Sequence, residues 1–365
     1  MLQLAEEVGG LLGLAMTALF VTFVVFGQRI QYRMTMAGMK RSVERLNMMS
    51  ERAQKQTVEY LTSTGKATGD VAQRVGELVD FAAIMPVDLD PSGIVPKIAH
   101  VANTGDERIR AEIVELMKEG DPVSVSIGQN LVELASALSM IHKVVRHFYI
   151  SGSKTKSFAM LSQLQMAMPQ VMEQAHTLEK AVDSVRLGQP VGDGIGPLVA
   201  SKFIGKSTQE PIARDTTLST LEYKGRTLYV VKAEGPTGYV GQPGIAIQKV
   251  VEEMKVPLNS IIMVDAALKL EGEPTGEVSE GVGAAIGGIG VEKFQIEEVA
   301  TKHGIPVYAV LVKESDSEAI TTMKQEIVDA IPRVMGMVSR IIEQRTKEGE
   351  KVLLAGIGNT LGIGQ

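Results

Sequence analysis

The sequence contains no cysteine and no tryptophan, and it has only five histidines in 365 residues. The lack of cysteine excludes disulfide bonds, thiolate nucleophiles and every zinc site that needs sulfur ligands. No two histidines have the HExxH spacing of a helical zinc site. The composition therefore argues against a metal centre built from cysteine or histidine.

Charge is absent from one long stretch, Val8 to Gly27, which is about as long as a bilayer core is thick when helical. Two carboxylates and no basic residue precede it. Four basic residues follow it closely, namely Arg29, Arg33, Lys40 and Arg41. By the positive-inside tendency, the stretch predicts a single-pass transmembrane helix with the N-terminus outside and the C-terminal part in the cytoplasm. Residues 8–27 and the four basic residues are then expected to contact membrane lipid. A cleaved signal peptide and a buried core helix are the alternatives.

Changes in charge, periodicity and glycine content divide the chain into four predicted segments. Residues 1–27 are the predicted membrane anchor, and residues 28–65 are a predicted juxtamembrane basic helix. From Gln28 to Lys66 the sequence has eight basic and three acidic residues, although the whole chain has a net charge of −6. Helical periodicity continues through a predicted helical domain at 66–187, and residues 188–365 are a predicted α/β domain with glycine-rich loops.

The last segment alternates short apolar runs with helical patterns, which is typical of a three-layer α/β domain with a mainly parallel sheet. Before that alternation, two runs with period-two patterning flank Lys224 and Gly225, and they predict a β-hairpin. The predicted fold class is therefore α+β and multidomain, with an N-terminal transmembrane helix, an all-α region and a C-terminal α/β domain with a hairpin.

Glycine-rich loops follow several predicted strands, and they carry the predicted ligand site. Ligands in such sheets bind beyond the carboxyl ends of the strands, where glycines let backbone N–H groups face an anion. The ligand-binding candidates are Lys232, Gly235, Gly238, Gly241, Gly244, Gly287, Gly288, Gly290, Gly358 and Asn359. The alternative is that these glycines only permit tight turns and close packing. Neither a dinucleotide fingerprint in register with a strand nor a P-loop is present.

Asp265 is the candidate catalytic residue, because it ends the apolar run SIIMV and would be held by a rigid strand. A carboxylate in this position is suited to binding a divalent metal or to acting as a general base. No serine or cysteine nucleophile can be paired with a histidine from spacing alone.

At the scale of the whole chain the sequence resembles an archaeal family of single-pass membrane proteins described as a domain of unknown function. The resemblance rests on the uncharged N-terminal stretch and on several motifs. These motifs are PVDLDP at 86–91, GQPVGDGIGP, VKAEGPTGYVGQPG, DAALKLEGEPTGEVSEGVGAAIGGIGVEK and the terminal AGIGNT. It implies a compartment and an origin but no reaction.

A partial resemblance links three short pieces to the hydrogenase-maturation endopeptidases. They are the GxGN-like Gly356 to Asn359, the acidic loop Gly192 to Pro197, and the strand end Val264 to Ala266. This resemblance implies that Asp193 and Asp265 bind a metal. The first two pieces are adjacent in that family, whereas here they are far apart in the chain and in reversed order.

We therefore expect a membrane-anchored, cytoplasm-facing protein whose α/β domain binds a small anionic or nucleotide-like ligand, with a divalent cation as an optional cofactor. One alternative is a metal-dependent hydrolase or peptidase, in which Asp193 and Asp265 hold the ion. Another is an oligomeric membrane scaffold without catalysis, in which case the chain forms a homo-oligomer. Nucleic acid is not an expected partner.

Overall fold

The computed structural model describes the backbone of residues 2–81, 91–118, 120–284 and 291–364. It describes the side chains of residues 13–22, 27, 29–81, 97–118, 120–284 and 291–364. The chain divides into two compact units. The helical unit comprises Met1–Arg52 and Ala137–His176, and the sheet unit comprises Ala53–Ser136 and Thr177–Gln365.

The helical unit is built from parts of three long helices, each of which also contributes residues to the sheet unit. The helices are α1 (Leu2–Ser63), α4 (Pro122–Thr155) and α5 (Phe158–Arg186). Buried apolar side chains of this unit, such as Leu46, Val145 and Leu161, recur at helical spacing on each helix. Packing of these apolar faces therefore holds the unit together.

The sheet unit contains the remaining residues of these three helices, together with several shorter helices. Local sequence sets the limits of the shorter helices. In α2 (Val71–Val79), Asp70 caps the N-terminus by accepting a hydrogen bond from the Gln73 N–H, and the buried residues are spaced by three and four. The other helices are α3 (Pro91–Leu116), α6 (Ile195–Ile204), α7 (Pro243–Gln248), α8 (Val291–His303), α9 (Asp316–Ile320), α10 (Gln325–Val328) and α11 (Ile331–Arg345). A short 3₁₀ turn, Gly192–Gly194, leads directly into α6.

The described strands of the sheet unit form a seven-stranded sheet with the order β1-β2-β3-β7-β4-β6-β5. Strands β3, β7, β4 and β6 are parallel neighbours, whereas β1, β2 and β5 are joined by antiparallel pairing. A hairpin connects β2 to β3 through Lys224 and Gly225, which both have positive φ as a tight turn of this kind requires. The strand bounds are β1 Glu210–Ala213, β2 Thr216–Tyr223, β3 Arg226–Ala233, β4 Ser260–Leu268, β5 Val278–Val282, β6 Val307–Glu314 and β7 Lys351–Gly356.

The predicted fold class is wrong in two respects. The sheet is mixed and not mainly parallel, because antiparallel strands lie at both of its edges. The second error is the transmembrane helix, which is treated below. The chain is mixed α/β, with a mostly helical N-terminal region followed by this mixed sheet.

Apolar cores cover both faces of the sheet, because successive strand side chains point to opposite faces. On one face, Val231 and Met263 pack in a buried cluster with Ile296 of α8. On the other face, Val230 and Val264 belong to a cluster that includes residues of α6 and α11. Each fully buried Val, Ile or Met side chain contributes roughly 1.5–3 kcal/mol, so these two cores fix the positions of the strand ends.

The carboxyl ends of the four parallel strands share one edge of the sheet. Lys232 of β3 is in register with Gly356 of β7, Gly356 with Val264 of β4, and Val264 with Val310 of β6. Asp265 follows Val264 directly. The loops after β3 and β7 start near this level, whereas β4 and β6 continue to Leu268 and Glu314 before their loops begin.

The prediction of a transmembrane anchor at residues 8–27 is wrong. Within the described ranges, we find no helix with a stretch that is both long and apolar enough to cross a membrane. The predicted localisation, a single-pass membrane protein with its N-terminus outside, is wrong for the same reason.

Candidate functional site

A cavity of about 700 Å³ lies in the sheet unit. Its walls come from α3 and α4, from the loops around Arg214 and Gly238, and from the start of α8. This volume falls within the range of roughly 300–1,000 Å³ that small-molecule sites occupy. Apolar side chains, including Val114 and Ile245, form part of the wall. The cavity can therefore enclose an organic molecule the size of a nucleoside.

One polar face of α3 borders the cavity. Asn103, Asp106, Glu107 and Arg110 are spaced by three and four residues, which places them on one side of the helix. All four line the cavity. This helix therefore places acidic and basic side chains on the same wall of the cavity.

The two arginines of the cavity already have partners. The Arg110 guanidinium donates to Asp215 Oδ2 at 2.8 Å and lies 4.4 Å from the centre of the Tyr239 ring. Arg214 donates to Glu107 Oε1 at 2.7 Å and to Asn103 Oδ1 at 2.9 Å. Each guanidinium is thus held in place and largely neutralised by a carboxylate.

Three further carboxyl groups, those of Asp106, Glu133 and Glu292, line the cavity. Desolvation by the surrounding protein raises the pKa of Glu133 to about 7, and the charge of Asp106 adds a small further increase. Part of the Glu133 side chain is nevertheless accessible to solvent in the cavity. Burial also raises the pKa of Asp106 and of Glu292. Glu292 accepts a hydrogen bond from the Gly244 N–H at 2.6 Å. Among the described residues, none of the three carboxylates forms a salt bridge with a cationic side chain.

Unpartnered polar atoms mark the same cavity. Gln129 Oε1, Tyr239 Oη and Gln295 Oε1 are buried, and each has no hydrogen-bond partner among the described residues. All three residues line the cavity. Leaving a buried polar group unsatisfied costs roughly 1–3 kcal/mol. The residues around the cavity therefore carry three polar atoms whose hydrogen-bonding capacity the described protein leaves unused.

The predicted glycine loop, Gly235 to Gly244, runs along this cavity, and Gly238 and Gly241 line it. Glycine is required at Gly241, because its φ is +68° and a Cβ would collide with Thr216 and Asp215. Hydrogen bonds within the protein occupy the N–H groups of Gly238, which donates to Ser126 Oγ at 2.7 Å, and of Gly244. The loop therefore shapes the cavity, but these two N–H groups already have partners within the protein and are not available to a bound anion.

We call the strand-end cluster the other predicted residues, Asp193, Lys232, Asp265 and Asn359, together with Glu314 at the end of β6. The Asn359 N–H donates to Asp193 Oδ2 at 2.8 Å, so the structure brings together two sequence pieces that lie far apart in the chain. The side-chain amide of Asn359 donates to Gly238 O at 2.8 Å. The strand-end cluster is thereby connected to the cavity loop.

Glu314 is the most isolated acid of the strand-end cluster. Its side chain is 2% exposed, and neither carboxylate oxygen has a hydrogen-bond partner among the described residues. Burial, and then the charges of Asp193 and Glu318, raise the pKa of Glu314 to about 8. Burial also lowers the pKa of Lys232 to about 8, and this ammonium donates to Ala233 O at 3.0 Å.

Strand alternation separates the acids of the strand-end cluster. Because side chains alternate between the two faces along a strand, Asp265 lies on the same face of the sheet as Ile261 and Met263. Glu314 lies on the opposite face, together with Val310 and Val312. Asp265 Oδ1 accepts a hydrogen bond from the Ala266 N–H at 2.8 Å. Within the described part of the chain, no three Asp, Glu, His or Cys side chains are arranged to hold a metal ion.

The remaining predicted glycines have different outcomes. Gly235 is buried against Ile363, and Gly358 has a φ of +128° and lies against the Asp193 carbonyl. Both allow close approach of two backbone segments. Gly287, Gly288 and Gly290 lie outside the described residues.

Sequence reasoning missed the helical wall of the cavity, which carries Arg110, Gln129 and Glu133. A signal for it existed, because residues 103, 106, 107 and 110 form one polar helix face. An ordinary solvated helix surface shows the same pattern. Only the fold shows that it borders a cavity.

The cavity and the covered mixed sheet are features of a two-part α/β protein with a small-molecule-sized site. Family models match the chain in two parts, which do not coincide with the two compact units: the N-terminal domain of a protein of unknown function (DUF1512) matches residues 13–188, and the DUF1512 C-terminal domain of unknown function matches residues 191–364. The chain therefore belongs to the DUF1512 family. A comparison with curated proteins finds no match.

Proposed function

We propose that this protein binds a small organic molecule in the cavity of the sheet unit. The observation that carries the proposal is the set of three buried, unpartnered polar atoms on Gln129, Tyr239 and Gln295 around one volume of about 700 Å³. Polar groups placed around a partly apolar pocket are typical of specific ligand sites. Binding would satisfy groups that the protein itself leaves unpaired.

Charge in the cavity does not favour the anionic ligand expected from the sequence. The guanidinium groups of Arg110 and Arg214 already bond to carboxylates, and an anion would have to compete with them. An anion would also approach the carboxyl groups of Asp106 and Glu133. Like charges at short range weaken binding.

A screen of the full chain by thermal shift, followed by calorimetry of each hit, tests the proposal. Tyr239→Phe is the most informative variant, because the hydroxyl it removes has no partner in the described protein. We expect this variant to keep or slightly raise the free energy of unfolding, by up to about 1 kcal/mol, and to weaken ligand binding several-fold. Tyr229→Phe, in the apolar core on the opposite side of β3 from Lys232, serves as the matched control and should leave affinity unchanged.

Failure would be clear in two ways. If no compound in a broad metabolite library shifts the unfolding temperature, the proposal is wrong. It is also wrong if hits bind equally well to the wild-type chain and to a Gln129→Leu, Tyr239→Phe double variant.

A second candidate function, metal-dependent hydrolysis, is favoured by one observation, the buried and unpartnered carboxylate of Glu314 near Asp193. Carboxylate oxygens are suitable ligands for Mg²⁺ or Mn²⁺. The fit is partial, since no third acid, histidine or cysteine joins them among the described residues. Metal analysis and thermal shift with Mn²⁺ alone test it. Glu314→Gln should abolish any shift, and a shift that persists in this variant removes the candidate.

A further inference from the structure

Acidic side chains outnumber basic ones around the cavity, and this excess of negative charge restricts the charge of the ligands that can bind. Arg110 pairs with Asp215, and Arg214 pairs with Glu107. Each of these pairs is close to neutral. Arg214 also attracts Asp106 and Glu292, but no salt bridge joins Asp106, Glu133 or Glu292 to a cationic side chain among the described residues.

The unpartnered atoms of the cavity are mostly acceptors as well. Gln129 donates from Nε2 to Glu133 Oε1 at 2.9 Å, which fixes the orientation of the amide and leaves its Oε1 as a buried acceptor. Gln295 Oε1 is a second such acceptor. Acceptors that already lack a donor call for a ligand that supplies N–H or O–H groups.

A metal ion is not a suitable ligand for the cavity, because no three acidic or histidine side chains in the described part of the chain are arranged around one point. The cavity is also far larger than an ion requires, and residues such as Ile98, Ala102 and Val291 contribute apolar wall. Such a wall suits the body of an organic molecule.

We propose that the ligand is an organic cation, with a protonated nitrogen held by Asp106 and Glu133 and an apolar body against the helical wall. This inference rests on the proposed function and specifies its ligand class. An ammonium group has donors and no acceptor, so it complements both carboxylates and the Gln129 oxygen. Asp106 raises the pKa of Glu133 slightly, and a cation between the two carboxylates would offset this repulsion.

The same arrangement predicts how binding depends on pH. The protein around Glu133 raises its pKa to about 7, and burial raises that of Asp106. A cation binds the ionised carboxylates better, so affinity should rise as the pH increases through 7. The other charged side chains that face the cavity are the paired groups Glu107, Arg110, Arg214 and Asp215, together with Glu292, whose pKa burial also raises. Tyr239, with a pKa of about 12, stays neutral in this pH range.

Three probes with one aromatic body and different charge test the inference on the full chain: tryptamine is cationic, N-acetyltryptamine is neutral, and indole-3-acetate is anionic. We expect titration calorimetry at pH 8 to give at least tenfold tighter binding of tryptamine than of either relative. Between pH 6 and pH 8 the tryptamine affinity should increase at least threefold.

Two variants locate the charge. Glu133→Gln and Asp106→Asn should each weaken tryptamine binding about tenfold, and Glu133→Gln should also remove most of the pH dependence. Glu326→Gln changes an exposed carboxylate outside the cavity, and it should have no effect on binding. Circular dichroism of each variant checks that the fold is retained.

Failures of the two proposals can be told apart. Binding of the neutral or anionic probe in preference to tryptamine, lost in the Tyr239→Phe variant, overturns the organic-cation inference and supports the cavity as a binding site. Tryptamine binding that is unchanged in both carboxylate variants also overturns the inference. If no probe binds at 10 mM, the inference fails, and a negative library screen would then remove the proposed function too.

Discussion

The cavity and the strand-end cluster both contain charged groups, but they use glycine and polar atoms in different ways. At the cavity, polar side chains on helices face an open volume, and several keep unpartnered atoms. At the strand-end cluster, glycines let backbone segments touch, and Asp193 accepts a hydrogen bond from the chain itself. A glycine-rich motif therefore marks close packing at least as well as it marks a ligand.

This comparison predicts that strand-end changes affect folding and cavity changes affect binding. The largest effect is expected for Gly196→Val at the start of α6. A Cβ at Gly196 would collide with the carbonyl oxygens of Ile357 and Val264. Because backbone atoms cannot move aside cheaply, we expect a loss of more than about 3 kcal/mol in the free energy of unfolding.

Urea denaturation of the Gly196→Val variant measures this loss. Gly336→Ala is the matched control, since a Cβ there meets nothing within 4 Å inside helix α11. It should be neutral or stabilising by roughly 0.5–1 kcal/mol. Equal stability of the Gly196→Val variant and wild type would show that the close contact at α6 does not matter.

The next effect is expected for Glu314→Gln, and it depends on pH. The folded-state pKa of Glu314 is about 8, above the ordinary value of 4.5. Between these values the unfolded chain has released a proton that the folded chain keeps, so stability falls as the pH rises from 4.5 to 8. The amide cannot ionise, so we expect the variant to be more stable than wild type by a few kcal/mol at pH 8 and similar at pH 4.5.

Denaturation of both proteins at pH 5, 6.5 and 8 provides the measurement. Glu348→Gln, an exposed site, is the control and should leave the pH profile unchanged. Identical pH profiles for wild type and Glu314→Gln would mean that Glu314 is compensated in solution, as a bound cation would do.

A smaller effect on stability is expected for Arg110→Met at the cavity. The change removes the bond to Asp215 and the contact with the Tyr239 ring, and a partly exposed pair of this kind contributes about 1 kcal/mol. It also makes the cavity more negative, so tryptamine should bind several-fold more tightly to this variant. Weaker tryptamine binding would instead assign Arg110 a direct role in contacting the ligand.

Local elements of the sheet unit were largely predictable, because each depends on short patterns. Period-two alternation around Lys224 and Gly225 identified the hairpin, and continuous apolar runs identified the strands that contain Asp265 and Glu314. Strand order was not predictable, since antiparallel pairing of β5 with β6 and of β1 with β2 depends on long-range contacts. The anchor prediction was wrong, since the described residues contain no helix that is long and apolar enough to cross a membrane.

Sequence by itself determined the absence of cysteine chemistry, the change from helical to α/β patterning near Gly188, and the identity of the glycine loops. Tertiary structure alone decided which residues meet. It placed Asn359 against Asp193, and it joined the polar face of α3 to Gln129 and Tyr239 around one cavity. The physical reason is that a site is formed by groups that are close in space, whereas periodicity and propensity describe only neighbours along the chain.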